Sequence, residues 1–261
     1  MRLKDKVAIV TGGGVGIGRA ISYAFSAEGA AVVISARNLS RLNEVAEDIK
    51  SKGGEIKAIQ TDIADENQVK NLMSETLRQY GQIDILVNNS GITGPTAKIV
   101  DMNLDEWNEV LAINLTGAML CSREALKNMI ARQSGCIINI GSEGGRSGFP
   151  MRSPYCVTKM GIVGFTETLA IEAGEYNIRV NCISPAAVRG ERVINNAKAK
   201  AEAQGISFEA VMERLIGHYS LKKFIEPSEV AAAAVFLASD ESSAITGHTL
   251  VVNCGAHISH Y

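Results

Sequence analysis

The apolar residues of this 261-residue chain follow two alternating rhythms. Short runs rich in β-branched residues, Lys6-Val-Ala-Ile-Val10, Ala31-Val-Val-Ile-Ser35, Gln82-Ile-Asp-Ile-Leu-Val87 and Cys136-Ile-Ile-Asn-Ile140, have the length and composition of buried strands. The segments Glu55 to Thr61, Asn177 to Ile183 and Thr249 to Val252 complete seven candidate strands. Between them lie segments of helical spacing: from the glycines after Thr11 to about Glu28, Leu39 to Lys52, Glu66 to Tyr80, Leu104 to Arg132, Pro154 to about Gly174, and Pro227 to Ala238. Gly53-Gly54 end the second, Gly161 and Gly164 in the fifth permit close packing, and Pro227-Ser-Glu229 opens the last with a capping-type start. Strand and helix alternate at the spacing of βαβ units. This predicts a single α/β domain, a doubly wound and mainly parallel sheet with helices on both faces. Right-handed crossovers then gather all strand C-terminal ends on one edge, where such sheets bind ligands.

Composition narrows the picture. The length suffices for one large core without a second domain. A formal net charge of −2 argues against a general nucleic-acid or membrane-surface role. The longest apolar stretch, Val230 to Ala238, falls far short of the roughly 20 residues of a membrane helix. The N-terminal Met-Arg-Leu-Lys-Asp-Lys leads straight into a strand, with no signal-type apolar region. The five cysteines are scattered, odd in number and without Cys-x-x-Cys spacing, as expected for reduced, mostly buried thiols in a cytoplasmic protein. No residue pattern points to a catalytic metal, and no repeat or low-complexity tract interrupts the chain.

Three stretches carry chemistry. The loop Thr11-Gly-Gly-Gly-Val-Gly-Ile-Gly18 stands between a strand and a helix. Its glycines allow a sharp turn and close approach of a ligand, and the helix N-terminus behind it offers free amides to a diphosphate. Gly12, Gly14, Val15, Gly16 and Ile17 are its candidate contacts, in a Rossmann-like arrangement. At the end of the second strand, Ala36 takes the place of the acidic residue that would bind a ribose hydroxyl, and Arg37 follows. A guanidinium there pairs with a 2′-phosphate, which favours NADP over NAD. Third, Tyr155 and Lys159 stand four residues apart in a helix opened by Pro154, on one face. An ammonium beside a phenol favours phenolate and brings proton exchange closer to neutral pH. Ser142, 13 residues upstream, follows the Cys136 to Ile140 strand and so falls at the same edge, and Glu143 to Pro150 after it reads as a flexible loop ahead of the Tyr155 helix.

The glycine loop fits Thr-Gly-x-x-x-Gly-x-Gly and not Gly-x-Gly-x-x-Gly. With Ser142 and the Tyr155/Lys159 pair, the chain from about Val7 to Gly255 resembles the short-chain dehydrogenase/reductase family, including its 3-oxoacyl-acyl-carrier-protein reductases and sugar or polyol dehydrogenases. The resemblance implies hydride transfer between a nicotinamide cofactor and a carbonyl or secondary alcohol, with Tyr155 as general acid and base, Ser142 on the substrate oxygen and Lys159 tuning the phenol. It implies that Asp62 and Ile63 hold the adenine, Asn89 the ribose region, Pro185 and Val188 the nicotinamide, and that Asn114 positions a water linking Lys159 to solvent. A homotetramer built on faces near residues 104–132 and 155–174 follows from the same resemblance. Departures occur at Ser90, Ala186, Gly190 and Asn253-Cys254, and Val15 stands where NADP-preferring relatives often carry a basic residue. The polar segment from Glu191 to about Gly217, within a candidate lid of about 190–217, has helical character and follows the sixth strand. Arg146, Arg152, Arg189 and Arg192 fall in segments bordering the substrate, which suggests a basic pocket for a carboxylate or phosphate, with Arg152 the candidate substrate contact. The alternative functions are a non-catalytic NAD(P)-binding regulator and an NAD-preferring sugar or polyol dehydrogenase.

Overall fold

A computed structural model of the chain describes residues 1–256, apart from the side chains at positions 192, 199, 203 and 204. The sheet has seven parallel strands: β1 (Val7–Thr11), β2 (Ala31–Ala36), β3 (Ile56–Gln60), β4 (Ile85–Asn88), β5 (Gly135–Ile140), β6 (Ile178–Pro185) and β7 (Thr249–Val252). Their order is β3-β2-β1-β4-β5-β6-β7. The chain winds outward from β1 to β3, then crosses back to start the second half at β4. The β1/β4 junction is therefore the switch point at which doubly wound sheets open a crevice.

Alternation along the strands builds two apolar layers. Ala8, Val10, Ile85, Val87, Ile138 and Ile140 face helices α1 (Gly16–Ala27), α2 (Leu39–Ser51) and α9 (Pro227–Ala238). Their neighbours Ile9, Leu86 and Ile137 face α3 (Glu66–Tyr80), α5 (Gly117–Arg132) and α6 (Ser153–Gly174). Burial on both faces explains why these strands read as unbroken apolar runs.

The structure departs from the expected elements in four places. β4 begins at Ile85, not Gln82; the Asp84 main chain still bonds to Val7 and Cys136 at 2.9 and 2.8 Å, while its carboxylate takes the Val7 N–H at 2.7 Å and the Arg132 guanidinium at 2.9 Å. The stretch from Leu104 to Arg132 is α4 (Leu104–Leu111) and α5 joined by a π-turn, Ala112–Thr116, centred on Asn114. The polar segment after β6 divides into α7 (Glu191–Gln204) and α8 (Phe208–Gly217). Gly205 leaves the helix at φ 63°, and Ser207 caps the next one by accepting the Ala210 N–H at 3.1 Å. In α6, a side chain on Gly161 would meet Leu115 at 3.1 Å, so that glycine does permit close packing. Gly164 faces open space and packs nothing within 4 Å.

Candidate active site

The C-terminal edge of the sheet carries a cleft of about 1160 Å³ lined by the glycine loop, the ends of β2, β4, β5 and β6, the start of α6 and helices α7 and α8. Gly12, Gly14, Val15, Gly16, Ile17, Arg37, Asp62, Ile63, Asn89, Ser142, Arg152, Tyr155, Lys159, Pro185 and Val188 all reach its surface.

At one end the glycine loop is clamped to the turn after β4. The Asn89 side-chain nitrogen donates to the carbonyls of Thr11 (2.8 Å) and Gly12 (3.2 Å), while the Thr11 hydroxyl oxygen accepts the N–H groups of Asn89 and Ser90. The turn expected to survive Ser90 does so through these bonds. Gly18 is dictated by this closeness: a Cβ there would lie 2.3 Å from the Gly12 carbonyl and 2.4 Å from the Asn89 amide nitrogen. The first turn of α1 holds no acidic residue, and no side chain caps it. Its free amides and positive dipole end thus point at the cleft, a cradle that fits a dinucleotide diphosphate.

At the β2 end Arg37 is joined by two arginines the sequence reading missed, Arg19 and Arg41. Arg19 stacks over the Tyr23 ring, 5.5 Å from its centre. Arg41 lies 3.7 Å from Glu191 at the start of α7, a contact that spans the cleft. Arg41 had a local signal: it sits four residues past Arg37, in the first turn of a helix capped by Asn38. Asp62 is shaped by its own Oδ1 accepting the Ala64 N–H, and the buried Ile63 packs against Gly117, where a Cβ would come within 2.6 Å.

At the other end, Ser142, Tyr155 and Lys159 converge. Ser142 is extended and its Oγ accepts the Gly144 N–H at 3.1 Å, so its hydroxyl proton is directed elsewhere. The turn Glu143–Gly145, read as part of a flexible loop, is instead buried against α6. Both glycines are needed there: a Cβ on Gly144 would be 3.0 Å from the Tyr155 ring, and one on Gly145 2.4 Å from the Lys159 carbonyl. Lys159 is 5% exposed. Its ammonium donates to the Ile140 carbonyl at 2.7 Å and stands 5.9 Å from the centre of the Tyr155 ring.

Asn114 lies behind the cleft wall, 2% exposed. Its Oδ1 accepts the Ile92 N–H at 2.8 Å, and its amide nitrogen donates to the Ile92 carbonyl (2.9 Å) and the Thr158 hydroxyl (3.2 Å). Thr158 in turn donates to the Tyr155 carbonyl. The amide therefore ties the turn after β4 to the helix turn that carries Tyr155.

The segment after β6 is stitched in place despite Ala186 and Gly190. Ala186 N–H donates to Val252, Ala187 N–H to the Tyr219 hydroxyl oxygen at 3.1 Å, and Ile225 N–H to the Ala187 carbonyl. Burial pushes the Tyr219 phenol up to about 12, and the nearby Glu143 charge adds to the effect. Neither Tyr219 nor Glu143 carries a motif; Glu143 reaches the cleft as the neighbour of Ser142, and Tyr219 through packing.

Of the four arginines, Arg152 and Arg189 reach the cleft. Arg146 is exposed and away from the cleft lining. Arg189 pairs with Glu226 at 2.7 Å and stacks on Phe224. The Arg192 side chain lies outside the described residues. Arg152 remains.

The family model described as enoyl-(acyl carrier protein) reductase matches residues 13–257. An uncharacterized oxidoreductase of Thermotoga maritima is 37% identical over 97% of this chain and 96% of its own. A 3-oxoacyl-[acyl-carrier-protein] reductase of Staphylococcus epidermidis is 34% identical over 97% of this chain and all of its own. Among solved structures, NAD+-bound xylitol dehydrogenase superposes with a TM-score of 0.93 at 30% identity, covering 97% of this chain and 99% of that one. An actinorhodin polyketide ketoreductase variant with NADPH superposes with a TM-score of 0.93 at 29% identity, covering 97% and 98%.

Proposed function

Since this chain belongs to the short-chain dehydrogenase/reductase family, a family of nicotinamide-dependent oxidoreductases, we propose that it interconverts a small carbonyl compound and its secondary alcohol, with NADP the favoured cofactor and Tyr155 the general acid and base. One observation carries the reading: the glycine cradle and the Ser142, Tyr155, Lys159 group open onto the same cleft. The cradle would hold the diphosphate on the first-turn amides of α1, and Asp62 and Ile63 flank the adenine position. Asn89 keeps the cradle closed beside the ribose region. Pro185 and Val188 line the nicotinamide end.

A bound nicotinamide supplies the hydride to the carbonyl carbon, or takes it from the alcohol in reverse. In the reducing direction Tyr155 gives its phenolic proton to the substrate oxygen, and Ser142, its acceptor side held by Gly144, donates a hydrogen bond to that oxygen. Lys159, locked on the Ile140 carbonyl, favours the phenolate that results. Asn114 fixes the helix turn beneath Tyr155, and the water that family resemblance places beside it returns the proton from solvent. Arg37, with Arg19 and Arg41 on the same rim, receives the 2′-phosphate. A second reading, an NAD-preferring sugar or polyol dehydrogenase, draws on Val15, an uncharged, exposed side chain at that rim.

The test is Tyr155→Phe, assayed by nicotinamide absorbance against a panel of ketones and secondary alcohols with NADP and NAD. Cofactor affinity should hold while turnover drops by about 10²-fold or more. Near-normal turnover in the variant would remove Tyr155 from the mechanism.

A further inference from the structure

We propose that the substrate is a short oxo or hydroxy acid whose carboxylate docks on Arg152. The inference rests on the reading of Tyr155 as the group that exchanges a proton with the substrate oxygen.

Arg152 is the N-cap residue of α6, three positions before Tyr155. Residues three apart at a helix start are neighbours, with Cβ atoms about 5–6 Å apart. Both side chains line the same cleft, and the guanidinium lies near enough to Tyr155 to feel the charge of its phenolate. A short acid could then span the two, its carboxylate at the first and its reacting oxygen at the second.

Among the described residues no carboxylate compensates the charge of Arg152. Its side chain is half-buried, and its two hydrogen-bond acceptors are neutral: the Gly94 carbonyl at 3.0 Å and the Asn196 side-chain oxygen at 3.4 Å. Among the described residues it makes no ion pair, whereas its cleft neighbours Arg41 and Arg189 each face a glutamate. Burial lowers its proton affinity from the usual guanidinium range, as expected for a cation short of partners. A guanidinium carries five N–H donors in a planar fork, and these two bonds use two of them. The remaining three suit the two oxygens of a carboxylate. A cation drawn out of water in this way gains most from an anionic ligand that brings its own charge.

Three elements meet on this side chain: the loop after β4 through Gly94, α6 itself, and the lid helix α7 through Asn196. A carboxylate there would sit where lid and cleft wall join. Glu143, whose negative charge would oppose an anion, acts on Tyr219 on the side of the Pro185 to Val188 segment. Ile92, Phe149, Val193 and Leu215 line the cleft as well and suit a short aliphatic body between the two ends.

The test separates this proposal from the catalytic one by reading binding without turnover. Tyr155→Phe protein saturated with NADP+ is titrated calorimetrically with four-carbon 2- and 3-hydroxy acids and with their methyl esters. At least one acid should bind roughly tenfold or more tightly than its ester, and that margin should vanish in the Tyr155→Phe/Arg152→Gln protein. Unchanged NADP+ affinity in the double variant reports an intact cleft. Arg152→Lys, which keeps the charge and loses the fork, should retain only part of the margin. Equal binding of acids and esters, no binding of any acid, or a margin that survives Arg152→Gln would overturn the assignment. Those results stand whether or not Tyr155→Phe proves inactive.

Discussion

Replacing Gly144 by alanine would place a methyl group 3.0 Å from Cε1 and 3.3 Å from Cδ1 of Tyr155, and 3.2 Å from the Phe149 ring. Carbon atoms rest at about 3.5–4.0 Å, so the tyrosine ring must give way by a few tenths of an ångström. Gly144 does not need a positive φ, so alanine fits the backbone. The main-chain N–H that donates to Ser142 is also kept. The substitution thus isolates one variable, the position of the phenol relative to Ser142. Overpacking of this kind costs about 1–3 kcal/mol when nothing yields, and the half-exposed Phe149 can swing aside, which puts the expected loss at the low end. Catalysis is far more sensitive: a misplacement of about 1 Å can cost about 10²-fold. The expected result is kcat lower by about 10- to 100-fold, with NADP affinity unchanged and only a small fall in Tm. Steady-state kinetics on the best substrate of the panel, fluorescence titration with NADPH and a thermal melt measure the three. A variant that melts normally and turns over at the wild-type rate would show that the ring is not held against this turn, and the reading of the site would fail with it.

Other consequences are open to measurement. Arg37→Ala should weaken NADP by about tenfold or more while changing NAD little, because only the former carries the 2′-phosphate; an equal effect on both would show that Arg37 does not read it. Glu28 is held down to about 2 by the guanidinium and main-chain N–H of Arg2. A depressed carboxylate contributes stability that is complete above its ordinary value near 4.5 and disappears as the pH falls through about 2. The Tm difference between wild type and Glu28→Gln should therefore be constant above about pH 5 and shrink toward zero near pH 2, and a difference that grows on acidification would contradict the pairing. Val157, Met160 and Ile171 leave an apolar face of α6 exposed. We expect it to be covered in a homotetramer, so light scattering should return four times the chain mass, and a monomeric value would dismiss the expectation.

How much of this was legible beforehand depended on how local each feature is. Helices α2, α3, α6 and α9 follow from periodicity and end signals written within a few turns of chain, and their bounds differ little from the reading. The Tyr155/Lys159 pairing and the glycine loop are likewise short-range patterns, fixed by helix geometry and by the need for a tight turn. β4 starts later than expected, next to an Asp84 carboxylate committed to Val7, 77 residues away in sequence, a contact no local pattern reports. Gly161 and Gly164 look alike in the sequence, yet only the first meets a neighbour. Four arginines read as one basic pocket; the structure leaves Arg146 out of the cleft lining and pairs Arg189 with Glu226 at its rim, while the Arg192 side chain lies outside the described residues. The sequence by itself determined which short segments could be strand, helix or phosphate-binding turn, since those choices rest on backbone preference and burial pattern within a segment. The tertiary structure alone decided which side chains share a wall. Gly144 against Tyr155, Asn89 against Gly12 and Gly18, and Arg152 between Gly94 and Asn196 arise from close packing of elements distant in the chain, and no local signal encodes the distance between them.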